Sequence, residues 1–261
     1  MRRVWFSLCV FLCLSAALAQ TPTVTPGGVL NAASYDKSAP IAPGSLVAIF
    51  GSNLAAAQAS ADSIPLSTAR GDVQAVTFNG QAAPILFVSP GQINVQVPWG
   101  TSQGSASVMV NRGGNTSAPV SVQVAGSSPG IFAVNFGTGP AIAINSDGTL
   151  AAAAGSIPGL TTHPAKAGDV LEVLATGLGA VNQQVPDGNI PAGLATTSVT
   201  PTVMIGGVQA QVQFSGLSPQ FPGVYQVNVM VPQGVAPGGN VPIQFQMGGI
   251  TTTNQITIAV Q

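Results

Sequence analysis

A chain that carries QINVQVP at 92–98 and QVNVMVP at 226–232 is written for paired strands. In the first phrase Ile93, Val95 and Val97 stand two apart, so all three face one side of an extended strand while Asn94 and Gln96 face the other. In the second, Val227, Val229 and Val231 hold the same places, with Gln226, Asn228 and Met230 on the opposite face. Pro98 and Pro232 close the two strands, because proline has no N–H to give to a ladder.

Other phrases echo in the same order. APGSLVAIFGSNLA at 42–55 parallels KAGDVLEVLATGLG at 166–179, each a turn followed by a buried strand. VTFNGQAAPILFVSP at 76–90 parallels VMIGGVQAQVQFSGLSP at 203–219, which predicts a hairpin around a tight turn in each. SAPVSVQV at 117–124 parallels TNQITIAV at 253–260, and GGVLNAAS at 27–34 is matched with DGTLAAAA at 147–154. The spacing between partners widens along the chain, so the second copy holds insertions, notably residues 220–223. The expected fold is all-β: two tandem immunoglobulin-like β-sandwiches at 20–126 and 127–261. The Ala-rich stretches 54–61 and 150–154 are taken as loops. The boundary segment 125–139 carries Ile131, Phe132, Val134 and Phe136, so it is expected to pack rather than to swing.

The first residues, MRRVWFSLCVFLCLSAALAQ, give a basic start, a short apolar run and an Ala-Leu-Ala box before Gln20, the pattern of a secretory signal peptide over 1–19. No segment reaches the roughly 20 apolar residues of a membrane span. Export to an extracellular, periplasmic or cell-surface location is expected, and a lipid anchor is not, because Cys13 lies inside the apolar run. Cys9 and Cys13 both fall within the leader, so the remainder has no cysteine for disulfides or thiolate metal sites. Beyond the leader four cations, Lys37, Arg70, Arg112 and Lys166, stand against seven acidic residues. That balance provides no basic stripe for phosphates, so nucleic acid is not an expected partner. So few titrating groups also predict a nearly flat melting temperature between about pH 4 and 8.

The ordered set NAAS, APGSLVAIFGSNL, FNGQAAPILFVSPGQINVQVPW, SPGIF, KAGDVLEVLATGLGAV and GVYQVNVMVP resembles the secreted Solibacter-type uncharacterised C-terminal-domain family of acidobacteria, over nearly all of the chain after residue 19. The resemblance implies bacterial origin, export and halves similar to IPT/TIG immunoglobulin-like modules. In that family the domain commonly ends larger exported proteins, whereas here it follows the leader directly. It assigns no catalytic or binding residue.

The candidates for chemistry are few. His163, the one histidine, sits in GLTTHPAKAGD, where Asp169 and a serine are its conceivable triad partners for a hydrolase. No G-x-S-x-G elbow accompanies it, and a loop position is the simpler assignment. Asp169 and Glu172 stand at odd spacing on one expected strand, so they point to opposite faces and make no carboxylate pair. NSDG at 145–148 offers one carboxylate to a calcium ion that takes 6 to 8 oxygens, and is taken as a turn in which Asp147 binds local backbone. Arg70-Gly71-Asp72 spells an adhesion tripeptide ahead of a strand, and Asn115-Thr116-Ser117 a glycosylation sequon. Trp99, beyond Pro98, is a weak candidate for stacking on a polysaccharide, with packing in the core or between modules as the favoured alternative. Tyr35 and Tyr225 are the other large ring donors. Asn94 and Asn228 could line a groove, but an outward position or an amide bonding a nearby loop is preferred. The expected protein is a secreted, non-catalytic binding or structural module without cofactor or metal, its partner an extracellular protein or a polysaccharide.

Overall fold

Tight turns organise the chain. The computed structural model describes residues 20–252 and 255–261, so the leader expected at 1–19 lies outside the described residues. Asn79 and Gly80 take φ of 50° and 83°, and Gly206 and Gly207 take 58° and 79°. Two consecutive left-handed residues match the twist of the strands they join. Phe78 therefore pairs with Gln81, and Ile205 with Val208, as expected of the two hairpins.

The N-terminal sandwich contains β1 (Thr23–Asn31), β2 (Leu46–Ser52), β3 (Ala59–Ser60), β4 (Val73–Phe78), β5 (Gln81–Ala82), β6 (Ile85–Val88), β7 (Gln92–Gln96), β8 (Gly104–Arg112), β9 (Asn115–Thr116) and β10 (Val120–Val124). One sheet runs β1-β2-β7-β6-β3; the other runs β10-β8-β4-β5, with β9 on β8. Alternation decides what each sheet turns inward. Val47, Ile49, Ile93 and Val95 of the first sheet meet Val76, Phe78, Val108 and Val110 of the second in one buried core.

The C-terminal sandwich contains β11 (Gly130–Ile131), β12 (Ala133–Asn135), β13 (Thr138–Ala141), β14 (Ala143–Ile144), β15 (Val170–Thr176), β16 (Thr202–Ile205), β17 (Val208–Leu217), β18 (Tyr225–Met230), β19 (Gly238–Met247), β20 (Ile250–Thr251) and β21 (Ile256–Val260). The central pairing matches that of the first sandwich: Ile49 lies opposite Ile93, and Val173 opposite Val227. Its ladder, however, is continuous, in the order β11-β15-β18-β17-β16-β19-β21-β13-β12. β17 turns the corner, pairing first with β16 and from Gln211 onward with β18, with a register shift between Val212 and Phe214. At the matching place in the N-terminal sandwich stands Pro84, whose missing N–H separates β5 from β6 and leaves two sheets.

Three expectations change. Val29, Leu30 and Asn31 pair with Ile49, Ala48 and Val47, while Ala143 and Ile144 pair with Val173 and Glu172. The counterpart of Val-Leu-Asn at 29–31 is therefore Ala-Ile-Asn at 143–145, not the segment after Asp147, because small apolar residues carry no register of their own and strand pairing sets it. The loop at 54–61 also contains β3, and Asp169 lies in the turn before β15 rather than on the strand. The segment 125–139 supplies β11 and β12 and packs only in part as expected, with Ile131 buried and Phe136 left exposed. No helix occurs among the described residues, so none is long and apolar enough to cross a membrane.

Candidate functional site

Residues 220–223, inserted in the C-terminal sandwich, and the connection between β15 and β16 weld the two sandwiches together. The Thr176 hydroxyl accepts the N–H of Leu46 at 2.9 Å and donates to the carbonyl of Gly223 at 2.7 Å. Gly223 has no room for a side chain there, since a Cβ would lie 2.7 Å from Leu46 Cδ2. Gln96, on the outward face of β7, is only 1% exposed because the second sandwich covers it. Its Oε1 accepts the N–H of Gly188 at 2.6 Å, and Asp187 Oδ1 accepts the N–H of Trp99 at 2.8 Å. Asn31 completes the seam by donating to the Ser128 carbonyl at 2.9 Å.

Trp99 sits in this seam. Its indole rests over Gly44, where a Cβ would be 2.3 Å from the ring, and packs against the core of the C-terminal sandwich. Its Nε1 is buried without a hydrogen-bond partner. This is a packing position between modules.

Beside the seam the sandwiches splay around a cleft of about 370 Å³. Leu46, Leu86 and Asn94 form one wall, Phe132, Ile142, Leu174 and Val224 the other, and Phe221 of the inserted segment stands at one side. Tyr35 and Phe136 approach from opposite sandwiches, edge to face with centroids 6.3 Å apart. Both hold left-handed backbone, φ 53° and 41°, a region that bulky residues rarely adopt. Burial pushes the Tyr35 hydroxyl above its ordinary pKa. Sequence reasoning did not assemble this site; its one available signal was the insertion at 220–223.

Asn94 and Asn228 stand on the outward strand faces, one of the two preferred positions, where each lines a depression and bonds along its own strand rather than to a loop. Gln92 Nε2 donates to Asn94 Oδ1 at 2.7 Å, and Gln226 Nε2 donates to Asn228 Oδ1 at 2.9 Å. Each Gln stands two residues before its Asn, on the same face of the strand. Asn228 lies in a separate hollow with Phe214 and Leu194.

His163 meets Asp147 rather than Asp169. Its Nε2 lies 2.9 Å from Asp147 Oδ2 and its Nδ1 2.9 Å from the Pro164 carbonyl. Both neighbours accept protons, so the Pro164 carbonyl first and Asp147 second raise the imidazole pKa. The hydroxyl and N–H of Thr149, with His163, pull Asp147 down to about 2. A general base needs a ring nitrogen facing the proton it removes, and here both face acceptors. Asp169 accepts the N–H of Lys166 at 2.8 Å, a local turn bond. Tyr225 is likewise structural: its hydroxyl donates to the Gly179 carbonyl deep in the core.

The remaining motifs are spent on local structure. Arg70 pairs with Asp62 at 3.2 Å, whereas Asp72 pairs with Arg112 at 2.6 Å, so the tripeptide's two charges engage different partners around Gly71. Asn115 lies on β9, opposite Arg112. Among the described residues no three His, Cys, Asp or Glu side chains converge on a possible metal site.

Fold and seam define an immunoglobulin-like β-sandwich protein. Residues 33–126 match the IPT/TIG domain, which accounts for most of the N-terminal sandwich. No curated protein matches the chain in sequence. Among solved structures it is similar to the Bacteroides ovatus mixed-linkage glucan utilization locus protein SGBP-B, in complex with a mixed-linkage heptasaccharide, at 14% identity and TM-score 0.36, covering 85% of this chain and 43% of that one. It is also similar to the plexin A4 extracellular region at 13% identity and TM-score 0.30, covering 95% of this chain and 16% of that one. The titin I9–I11 tandem is a third, at 12% identity and TM-score 0.22, covering 92% and 66%. The chain thus spans less than half the length of the first two.

Proposed function

We propose that this is an exported, non-catalytic binding module made of two copies of one sandwich, divided at 126 and 127 and held as a unit by the seam. The observation that carries this reading is the apolar cleft that the seam builds between the sandwiches. The reactive candidates argue the same way: His163 has both ring nitrogens committed to acceptors, and Asp169 is spent on a turn. Export rests on the pattern of residues 1–19, and a place in the Solibacter-type family rests on the phrases quoted above. The partner is an extracellular protein or polysaccharide at the cell envelope.

The test is retention of the purified protein from Gln20 onward on insoluble polysaccharides, peptidoglycan and envelope fraction, beside an unrelated immunoglobulin-like sandwich. Retention above that control on one matrix is expected. Retention no greater than the control on every matrix overturns the binding role. A hydrolytic activity lost in His163→Ala overturns the non-catalytic one.

A further inference from the structure

We infer that the cleft between the sandwiches is a site for an uncharged small ligand with an apolar body and one hydrogen-bond acceptor, an inference that rests on the binding role proposed above. Its volume of about 370 Å³ falls in the range of small-molecule sites. Its walls are aliphatic and aromatic, and no Asp, Glu, Lys, Arg or His lines it. A charged ligand would lose water and find no counterion, which disfavours its entry strongly.

The polar side chains at the cleft are Asn94 and the hydroxyl-bearing Tyr35. Asn94 Oδ1 already accepts from Gln92 Nε2 at 2.7 Å, so the amide offers its N–H groups. That polarity selects a ligand that brings an acceptor, such as an ester or ketone oxygen.

The mouth supports the same assignment. Phe136 is 81% exposed yet held left-handed against Tyr35. The next residue, Gly137, sits so close to the opposing turn that a Cβ would lie 2.7 Å from the Ser34 carbonyl. Backbone in such regions is strained and concentrates at ligand clamps. Here two such residues, one from each sandwich, hold an aromatic ring over the cleft that an apolar ligand would cover.

The experiment uses N-phenyl-1-naphthylamine, a neutral fluorescent probe, titrated into the protein from Gln20 onward and then displaced by a medium-chain methyl ester or by the carboxylate of the same chain. Saturable enhancement is expected, with the ester displacing the probe at least about tenfold better than the carboxylate. Phe136→Ala removes an exposed side chain and should weaken probe binding by about tenfold without lowering the melting temperature. Asn94→Leu should abolish the preference for the ester over a plain alkane of equal length, and Asn228→Leu, in the other hollow, should leave it unchanged. Enhancement no greater than with the control sandwich, equal competition by the carboxylate, or displacement by neutral oligosaccharides but not by esters overturns the inference. So does binding unaffected by both Phe136→Ala and Asn94→Leu. None of these results alters retention on envelope or glycan, so failure here is distinct from failure of the binding role.

Discussion

The backbone N–H of Leu46 ends 2.9 Å from the hydroxyl oxygen of Thr176, a residue 130 positions further along the chain. Thr176 is fully buried, and its proton continues the chain of bonds to Gly223. One hydroxyl thus satisfies two backbone groups across the seam.

Thr176→Val keeps the shape and removes both bonds, leaving an N–H and a carbonyl buried without partners. Each such group costs about 1–3 kcal/mol. The urea midpoint is expected to fall by the equivalent of roughly 2–6 kcal/mol, while Thr176→Ser should recover most of it. A valine variant as stable as the parent would mean that water replaces the hydroxyl.

Gly44→Ala drives a methyl into the Trp99 ring, at a backbone φ of +74° that alanine also resists. The indole is expected to leave the seam. Because the other tryptophan, Trp5, precedes Gln20, emission of the protein from Gln20 onward reports Trp99 alone. A red shift with a lower melting temperature is the predicted outcome, and an unshifted spectrum would place the ring's support elsewhere.

Gln96→Leu leaves the N–H of Gly188 unpaired and loosens the segment that holds Trp99 through Asp187. A loss of about 1–3 kcal/mol is expected. Hydrogen exchange at Gly188 should accelerate in the variant; unchanged protection there would show that Gln96 is not its acceptor in solution.

The Asp147–His163 pair modifies the expected pH independence. The pKa of His163 is raised in the fold, so its contribution is complete below its unfolded value of about 6.5 and is lost as pH rises through the folded value. Asp147 is lowered to about 2, so its contribution is present above its unfolded value of roughly 3.9 and disappears as pH falls toward the folded one. Melting temperature should be level from about pH 4 to 6, then decline slightly toward about pH 8. The slope is shallow because both side chains are solvent-exposed. His163→Ala should flatten the upper arm, and an unchanged decline would exclude the pair as its source.

Much of the fold was legible because its signals are local. Ile93, Val95 and Val97 alternate with polar residues whatever surrounds them, so the inward face of β7 follows from spacing alone. Asn79-Gly80 and Gly206-Gly207 specify their turns through backbone preference, and Pro98 and Pro232 end strands by lacking an N–H. The echo assigned to GGVLNAAS failed for the complementary reason: leucine and alanine suit several registers equally, and only pairing with β2 and β15 distinguished them.

The candidate site was not legible in that way. Gln96 has the alternation of a solvent-facing residue and is nevertheless buried, since an outward strand face looks the same in sequence whether water or another sandwich meets it. Asp147 and His163, Thr176 and Leu46, and Tyr35 and Phe136 become neighbours only after the strands have stacked. Alternation and turn chemistry, which act over a few residues, determined that this chain would form β-sandwiches. Which outward faces would meet, and so where the cleft would open, was decided by tertiary packing, because those contacts depend on the summed geometry of every strand and loop between them.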